Sequence, residues 1–346
     1  MRRPDARLRR RSGRRVVEGS VVSRLPLEAL TPVGQDLHRP ECVLATAAGE
    51  LYVADWRGGV TLIRPDGTQT LFAGPAPGGR PLHPNGIALR ADGSFLVAEL
   101  GPDTGGVFSL DRQGAVRPFL ERVDGIDLPP TNFVVEDAEG RVWITVSTRR
   151  VPRSLGYSPD CDDGFVVLVD RRGARIVADG LGYTNEIAPH PDGRSMWVNE
   201  TFGRRLSRFE LRSDGSLGPA STVTEFGHGT FPDGLCFDAL GAAWVTSIVS
   251  NRVLRVLADG SQQVILEDAD PAHLDEVEAA YLSRTMGRPQ LDAVRSRVLR
   301  NVSSLAFGGP GLRTAWLGCL LGDRLQRFDA PVAGHPPPHW NVSPRR

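Results

Sequence analysis

The stretch GLGYTNEIAPHPDGRSMWVNE, residues 180–200, decides the fold. In it a polar pair, Thr184-Asn185, leads into an apolar strand, a turn at Asp192-Gly193 and a second strand that carries Trp197. Glycine accepts the positive φ that such turns require, so the stretch predicts two antiparallel strands. Because the same pattern recurs along the chain, we interpret it as one unit of a repeat.

The repeat has five full copies and a weaker sixth. The polar positions that lead into the first strand of each copy lie 44 to 53 residues apart, except for the last interval, and they are Glu41, Asn85, Asn132, Asn185, Asp233 and, in the weaker copy, Val302. A period in this range, with several short strands per unit, is typical of a β-propeller. We therefore predict an all-β fold, a six-bladed β-propeller, whose equivalent polar positions meet at the rim of its central channel.

The domain boundaries follow from the repeat. Residues 21–330 are predicted to form the propeller, preceded by a disordered Arg-rich tail at 1–20 and followed by a Pro-rich C-terminal tail at 331–346. The last unit ends after three strands, so we expect residues 23–31 to supply its fourth strand and close the ring, which leaves no exposed sheet edge.

Two insertions interrupt the repeat. Residues 148–164 join the second and third strands of blade three, and residues 269–299 join blades five and six. The second insertion has helical spacing, with Leu274, Val277, Tyr281 and Leu282 on one side, and predicts a short helical lid. Strand direction places both insertions on the face that carries the polar positions, where long loops usually shape a binding site.

Composition excludes several mechanisms and compartments. All 41 basic residues are arginine, which rules out a Schiff-base or phosphate-loop lysine, and no G-x-S-x-G nucleophile elbow is present. The four cysteines lack CxxC spacing, which predicts free thiols in a reducing cytoplasm, and the Arg- and Ala-rich composition suggests a bacterial source. No segment approaches the roughly 18 apolar residues of a membrane span. We expect neither a membrane nor a nucleic-acid partner.

The polar positions predict a cation site. Two carboxylates and several amides that converge on a narrow channel are costly unless they are paired, and no Lys or matching Arg is available to pair with them. Oxygen ligands suit one divalent cation, with Ca²⁺ expected and Mn²⁺, Mg²⁺ or Zn²⁺ as alternatives. Taken singly, Asp233-Gly234 could be an ordinary turn and Asn185 a residue that only begins a strand. The acidic loop 160–164 is interpreted as a solvated turn, with a second Ca²⁺ site as the alternative.

From residue 41 to residue 329 the chain resembles the SMP-30/gluconolactonase/luciferin-regenerating-enzyme-like family of six-bladed propellers, which are typically metal-dependent lactonases. The resemblance rests on Glu41, on Asn132, on GLGYTNEIAPHPDG around Asn185 and on FPDGLCFD around Asp233. It implies that Glu41, Asn185 and Asp233 bind the cation, and that Asn132 helps to hold substrate or a metal-bound water.

The sequence also departs from that family. Sugar lactonases of the family carry an Arg two residues before the Asn of blade three and an Asp after it, where this chain has Pro130 and Phe133. We therefore expect a less polar substrate, positioned by Arg149, Arg150 or Arg153 of the overhanging loop. The predicted substrate-binding residues are Asn85, Asn132, Phe133 and Arg149.

These observations predict a hydrolase of a lactone or related cyclic ester, in which the cation polarises the carbonyl and Asp233 serves as both ligand and general base. Two alternatives remain. The same scaffold could use its metal for phosphotriester hydrolysis or for a biosynthetic reaction on a cyclic intermediate. It could also be a non-catalytic, ligand-binding propeller with a structural cation.

Overall fold

A computed structural model describes residues 22–293 and 295–342 of the chain, so the predicted tail at 1–20 lies outside the described residues. The described part contains six four-stranded antiparallel sheets and one small two-stranded hairpin. The prediction of a six-bladed all-β propeller is confirmed.

Twenty-six strands build the described structure. In chain order they are β1 Thr31–Val33, β2 Val43–Ala45, β3 Leu51–Asp55, β4 Gly59–Ile63, β5 Gln69–Ala73, β6 Pro84–Leu89, β7 Phe95–Glu99, β8 Val107–Leu110, β9 Val116–Leu120, β10 Arg122–Val123, β11 Ile126–Asp127, β12 Thr131–Glu136, β13 Val142–Val146, β14 Gly164–Asp170, β15 Gly173–Leu181, β16 Thr184–Pro189, β17 Ser195–Glu200, β18 Arg205–Glu210, β19 Ser221–Glu225, β20 Thr230–Phe237, β21 Ala243–Val249, β22 Arg252–Val256, β23 Gln262–Glu267, β24 Val302–Gly308, β25 Thr314–Cys319 and β26 Leu325–Asp329. Blades one to five are β2–β5, β6–β9, β12–β15, β16–β19 and β20–β23.

The sixth blade closes the ring with a strand from the start of the chain. Its order is β1-β26-β25-β24, and β1 pairs antiparallel with β26 through Thr31 and Arg327. The closing strand was predicted within residues 23–31, but it begins only at Thr31, the last residue of that segment. Within the segment, residues Leu27–Ala29 form a 3-10 turn and not a strand. Closure between the two ends of the chain leaves each blade with neighbours on both sides, which is how propellers protect their sheet edges.

The turns between the first two strands of blades three and five use the same chemistry. The Asp137 carboxylate accepts hydrogen bonds from the Arg141 backbone N–H at 3.0 Å and from Trp143 Nε1 at 2.8 Å. The Asp238 carboxylate does the same with the Ala242 N–H at 3.0 Å and Trp244 Nε1 at 3.1 Å. Aspartate thereby holds the turn and also satisfies a tryptophan whose ring is completely buried in the blade.

The predicted helical insertion between blades five and six is confirmed. Helix α1, Pro271–Leu282, begins at Asp270, whose side chain accepts the His273 N–H at 2.8 Å, and a short helix α2 spans Arg288–Asp292. Leu274, Val277 and Tyr281 are buried as expected, but Leu282 is 58% exposed and does not share their buried side of α1. No helix among residues 22–293 and 295–342 is long and apolar enough to cross a membrane.

The C-terminal segment crosses the face opposite the insertions. Its backbone is bound to blade five through Ala239 N–H to Ala333 O at 2.8 Å and His335 N–H to Phe237 O at 2.9 Å, and to blade one through Ala47 N–H to Trp340 O at 2.8 Å. The described part of this segment, up to residue 342, therefore covers the lower mouth of the channel.

Candidate functional site

Irregularities of the innermost strands place the polar side chains at the channel. In blades two to five the pairing of the first strand with the second shifts register near its start, between Pro84 and Ile87, Thr131 and Phe133, Thr184 and Ile187, and Pro232 and Leu235. Asn85, Asn132, Asn185 and Asp233 lie within these four shifts. A β-bulge interrupts the ladder and re-aims a side chain, and such bulges are frequent beside active sites.

Glu41 reaches the same place from the segment that precedes β2. Its backbone oxygen accepts a hydrogen bond from Ser303 Oγ of blade six at 2.9 Å. The bulge of blade six lies between Val302 and Ser304, so Ser303 occupies the equivalent position there. The sequence assignment of Val302 to this position is off by one residue, because Val302 pairs regularly with Cys319 and is fully buried.

The five polar side chains line one basin on the upper face of the propeller. All are buried, with Glu41 the most exposed at 6%. Each amide donates its N–H₂ group to a fixed acceptor: Asn85 Nδ2 to Glu41 Oε1 at 2.8 Å, Asn132 Nδ2 to Ser147 Oγ at 3.0 Å, and Asn185 Nδ2 to Thr201 Oγ1 at 2.9 Å. These bonds orient the three amides. They use only the amide nitrogens, so the amide oxygens take no part in them.

The basin therefore contains acceptor oxygens without donors. Glu41 Oε2 and the Oδ1 atoms of Asn85, Asn132 and Asn185 are buried and have no hydrogen-bond partner among the described residues. Each unsatisfied buried acceptor costs about 1–3 kcal/mol. The donor set, carboxylate and amide oxygens only, fits a hard divalent cation such as Ca²⁺. Among the described residues no three His, Cys, Asp or Glu side chains are placed together to hold a metal ion, and His and Cys, which Zn²⁺ more often uses, are absent from the basin lining.

Burial also changes the protonation of the two carboxyls. It raises the pKa of Glu41 to about 7, and the charges of Arg39 and Arg153 and the bond from Asn85 only partly offset it. Burial, reinforced by the charge of Glu41, raises the pKa of Asp233 well above its usual range. A divalent cation between the two carboxylates would favour the ionised form of both.

The two insertions form a roof over the basin. It consists of Arg153 and Tyr157 from the loop of blade three and Arg288 and Leu291 from α2. The cavity beneath measures about 30 Å³. That is enough for an ion or one or two water molecules but not for a lactone ring. Admission of a ring-sized ligand requires the roof to move.

An ion pair at the surface joins the two halves of the roof. Asp160 of the loop accepts a hydrogen bond from Arg284 Nη2, just after α1, at 2.9 Å. In the same acidic loop, Asp162 and Asp163 lie 3.8 and 3.3 Å from the Arg150 guanidinium. The carboxylates of loop 160–164 are therefore paired with arginines.

Of the three loop arginines, only Arg153 lines the basin. Arg149 lies outside it, because its guanidinium is bound to Asp179 at 2.7 Å and stacks 4.3 Å above the Phe165 ring. The predicted contact of Arg149 with substrate is therefore not supported by its position, and Arg150 is engaged in the acidic loop.

Phe133 also lies outside the basin, because it follows Asn132 and successive side chains of a strand point to opposite sides. It lines a second, larger cavity of about 310 Å³ on the lower side of the channel. Apolar side chains such as Ile87 and Leu235 surround that cavity, and residues 335–339 cover it. The lining of the larger cavity includes carboxyl groups, such as that of Glu186, but no Asn or Gln side chain. The amides and the two carboxyls at the starts of the innermost strands line the smaller basin, which is therefore the candidate site.

Several basin residues were missed in the sequence, among them Arg39, Tyr183 and Arg288. Arg39 and Tyr183 stand two residues before Glu41 and Asn185, but both have a positive φ, 48° and 68°, so the two-residue period of an extended strand does not assign their side. Arg288 carried no signal either, because its position depends on how the helical insertion packs on the propeller. With these arginines the basin is more cationic than the expected apolar surface.

Comparison with known proteins gives a family and a fold. Residues 39–267 match the family model described as the SMP-30/Gluconolactonase/LRE-like region. A lactonase, drp35 of Staphylococcus saprophyticus, is 26% identical over 204 residues, which are 56% of this chain and 59% of that protein. The match thus spans less than two thirds of the curated relative.

Two solved structures show the same fold. A gluconolactonase of Xanthomonas campestris superposes with a TM-score of 0.62 at 21% identity, covering 86% of this chain and 88% of the other. The calcium-binding protein regucalcin of Agrobacterium tumefaciens gives a TM-score of 0.60 at 17% identity, covering 91% and 94%.

Proposed function

This chain belongs to the SMP-30/gluconolactonase/LRE-like family, and we propose that it is a metal-dependent hydrolase of lactones or related cyclic esters. The observation that carries the proposal is the set of buried acceptor oxygens without donors around Glu41 and Asp233. The lactonase among the curated relatives supports the reaction type.

Glu41, Asn185 and Asp233 would hold the cation, with Asn85 and Asn132 beside them. These residues supply two negative charges and oxygen ligands only, the chemistry that Ca²⁺, Mg²⁺ and Mn²⁺ share. When bound, such a cation supplies Lewis acidity that polarises the ester carbonyl and stabilises negative charge on its oxygen.

Asp233 is the proposed general base. Its carboxylate takes a proton from a water molecule as the water oxygen bonds to the carbonyl carbon. The ring C–O bond then breaks, and the proton passes to the departing ring oxygen, which leaves a hydroxy acid. Burial alone raises the pKa of Asp233 well above its usual range, and the bound cation would favour the ionised form that the base requires.

The neighbouring amides position the reactants. Asn132 donates to Ser147 Oγ at 3.0 Å, so its Oδ1 is free to accept a hydrogen bond from a substrate hydroxyl or from the attacking water. Asn85 holds Glu41 Oε1 and thereby fixes the orientation of the other carboxylate oxygen. The roof excludes bulk water once it closes over the substrate.

The test is hydrolysis by the purified chain after removal of metal with a chelator and re-addition of Ca²⁺, Mn²⁺, Mg²⁺ or Zn²⁺ singly. The panel contains γ- and δ-lactones, a linear ester and a phosphotriester. We expect cation-dependent turnover of lactones that exceeds turnover of the linear ester. Faster turnover of the phosphotriester would support the alternative chemistry, and a cation-dependent rise in melting temperature without any hydrolysis would support the non-catalytic alternative.

A further inference from the structure

The lining of the basin contains more positive charge than its surroundings neutralise. Arg39, Arg153 and Arg288 all line the basin, from three different parts of the chain. Arg288 is paired with Asp292 of its own helix at 2.5 Å. Within residues 22–293 and 295–342, Arg39 and Arg153 have no ion-pair partner, and Arg39 Nε is buried without a hydrogen-bond acceptor.

Stacking holds Arg39 in place without using its N–H groups. The guanidinium carbon lies 4.5 Å from the centroid of the Trp56 ring. Stacking of this kind uses the flat face of the guanidinium and leaves its edge, which carries the donors, free for an acceptor. Tyr183 adds a hydroxyl to the same basin, which is buried and lacks a hydrogen-bond partner.

Whether Arg39 and Arg153 require a bound anion depends on the charge of the proposed cation. Without it, the carboxylates of Glu41 and Asp233 offset the two unpaired arginines. With a divalent cation bound, the cation cancels both carboxylates, and the guanidinium charges of the half-buried Arg39 and Arg153 remain without compensation. Buried charges without partners are costly, so the loaded site calls for an anion.

We propose that the substrate of this basin is an anionic lactone, whose carboxylate or phosphate group is bound by Arg39 and Arg153. This inference rests on the proposed function, because it names the substrate class of the same site. The planar fork of arginine matches carboxylate and phosphate oxygens, and the Tyr183 hydroxyl supplies a further donor. Because Arg153 belongs to the roof and Arg39 to the wall of the basin, the bound anion also holds the roof closed.

The first experiment compares matched lactones on the Ca²⁺-loaded protein: γ-butyrolactone, its γ-carboxylate derivative, and the phosphate ester of γ-hydroxymethyl-butyrolactone. We expect kcat/KM to be about tenfold to a hundredfold higher for at least one anionic lactone, the range for hydrogen bonds to charged groups. Arg153→Gln and Arg39→Gln should each lower kcat/KM much more for the anionic lactones than for the neutral lactone, and so remove most of that preference. The more active anion distinguishes a carboxylate from a phosphate substrate.

Arg150→Gln is the matched control, because Arg150 lies in the same loop but is paired with Asp163 at 3.3 Å. It should keep the preference. Equal kcat/KM for neutral and anionic lactones in the wild type, or an equal loss on all three substrates in Arg153→Gln, would overturn the proposal.

A binding measurement separates this inference from the hydrolase proposal. Calorimetric titration of the Ca²⁺-loaded protein uses cyclopentanecarboxylate, which cannot be hydrolysed, beside neutral cyclopentylmethanol. If the carboxylate alone binds, and Arg153→Gln weakens it about tenfold or more, the anion site stands even when no lactone is turned over. If neither compound binds, or both bind equally, the anion site is refuted even when lactones are hydrolysed.

Discussion

Asn85 donates its side-chain N–H to Glu41 Oε1 at 2.8 Å, and the other carboxylate oxygen of Glu41 remains buried without a donor. The bond crosses from blade two to the start of blade one, so two blades fix one carboxylate. A buried carboxylate oxygen without a hydrogen-bond donor is suited to bind a cation. It lowers the stability of the folded protein when no cation is bound.

Replacement of Asp233 by Asn should preserve the fold and reduce kcat on the best lactone by about 10²- to 10⁴-fold, because the amide cannot take the proton from water. The measurement is steady-state hydrolysis with saturating Ca²⁺. Asp66→Asn is the control, since Asp66 holds an exposed turn through the Thr68 N–H at 2.9 Å and Asn can replace it there. Wild-type turnover in Asp233→Asn would refute the base assignment.

Replacement of Asn85 by Ala should weaken Ca²⁺ binding by roughly tenfold, since loss of one hydrogen bond to a charged group costs about 1.5–3 kcal/mol and frees Glu41 to rotate. Without this donor the pKa of Glu41 should rise further, because the Asn85 bond lowers it. Calorimetry of the variant beside the wild type measures the effect. An unchanged Kd would mean that Asn85 does not support the site.

Cation binding should weaken in acid. Burial raises the pKa of Glu41 from 4.5 to about 7, so the cation-free folded protein keeps this proton in a pH range where the unfolded chain has lost it. The carboxyl alone therefore lowers the stability of the cation-free protein as pH rises from about 4.5 to about 7. A cation must displace the proton below about pH 7, at a cost of about tenfold in affinity per pH unit.

The measurement is the rise in Tm on adding Ca²⁺ at two pH values on either side of the Glu41 pKa. We expect a larger rise at the higher pH, and a weaker dependence on pH in Glu41→Gln, where Asp233 alone still has to ionise. An equal rise at both pH values in the wild type would contradict the assignment of Glu41 as a ligand that must ionise.

A buried ion pair supports blade five. Arg255 Nε lies 2.7 Å from Asp238 Oδ2, and both side chains are almost completely buried. Asp238→Ala should reduce the free energy of unfolding by about 3–5 kcal/mol, because it leaves the guanidinium and Trp244 Nε1 unpaired. Urea denaturation measures the loss. Asp323→Ala, which breaks an exposed pair with Arg324, is the control and should change stability by less than about 1 kcal/mol.

The pair between Asp160 and Arg284 should control how readily the roof opens. Both side chains are more than half exposed, so solvent screens the pair, which should contribute little and weaken further with salt. Arg284→Ala should increase hydrogen exchange in residues 148–164 and 271–292 by up to about fivefold, while Arg324→Ala should not. Unchanged exchange in Arg284→Ala would show that other contacts hold the roof closed.

The repeat in the sequence was sufficient to predict the fold and the meeting of five polar residues. Each blade begins with the same sequence pattern. The pattern alone therefore predicts equivalent positions for four residues, Asn85, Asn132, Asn185 and Asp233. The bulges that aim these side chains were not predicted, and Val302 was consequently assigned one residue away from Ser303.

The lining contributed by loops could not be predicted in the same way. Arg149 and Arg153 belong to one insertion, yet nearby Asp179 holds Arg149 away from the basin while Arg153 reaches it. Arg288 comes from helix α2, whose position depends on packing of the insertion over the channel. Tertiary contacts, rather than local pattern, therefore determine the charge of the roof, and the expectation of a less polar substrate stays an untested prediction.

The most direct test of the account is Ca²⁺ titration of the chelator-treated protein by calorimetry, with metal content measured on the same sample, for the wild type and Glu41→Gln. The account predicts one Ca²⁺ per chain in the wild type and at least about tenfold weaker binding in Glu41→Gln, where one ligand charge is lost. Absence of specific binding of Ca²⁺, Mn²⁺, Mg²⁺ and Zn²⁺ in the wild type, or equal Ca²⁺ affinity in Glu41→Gln, would contradict it.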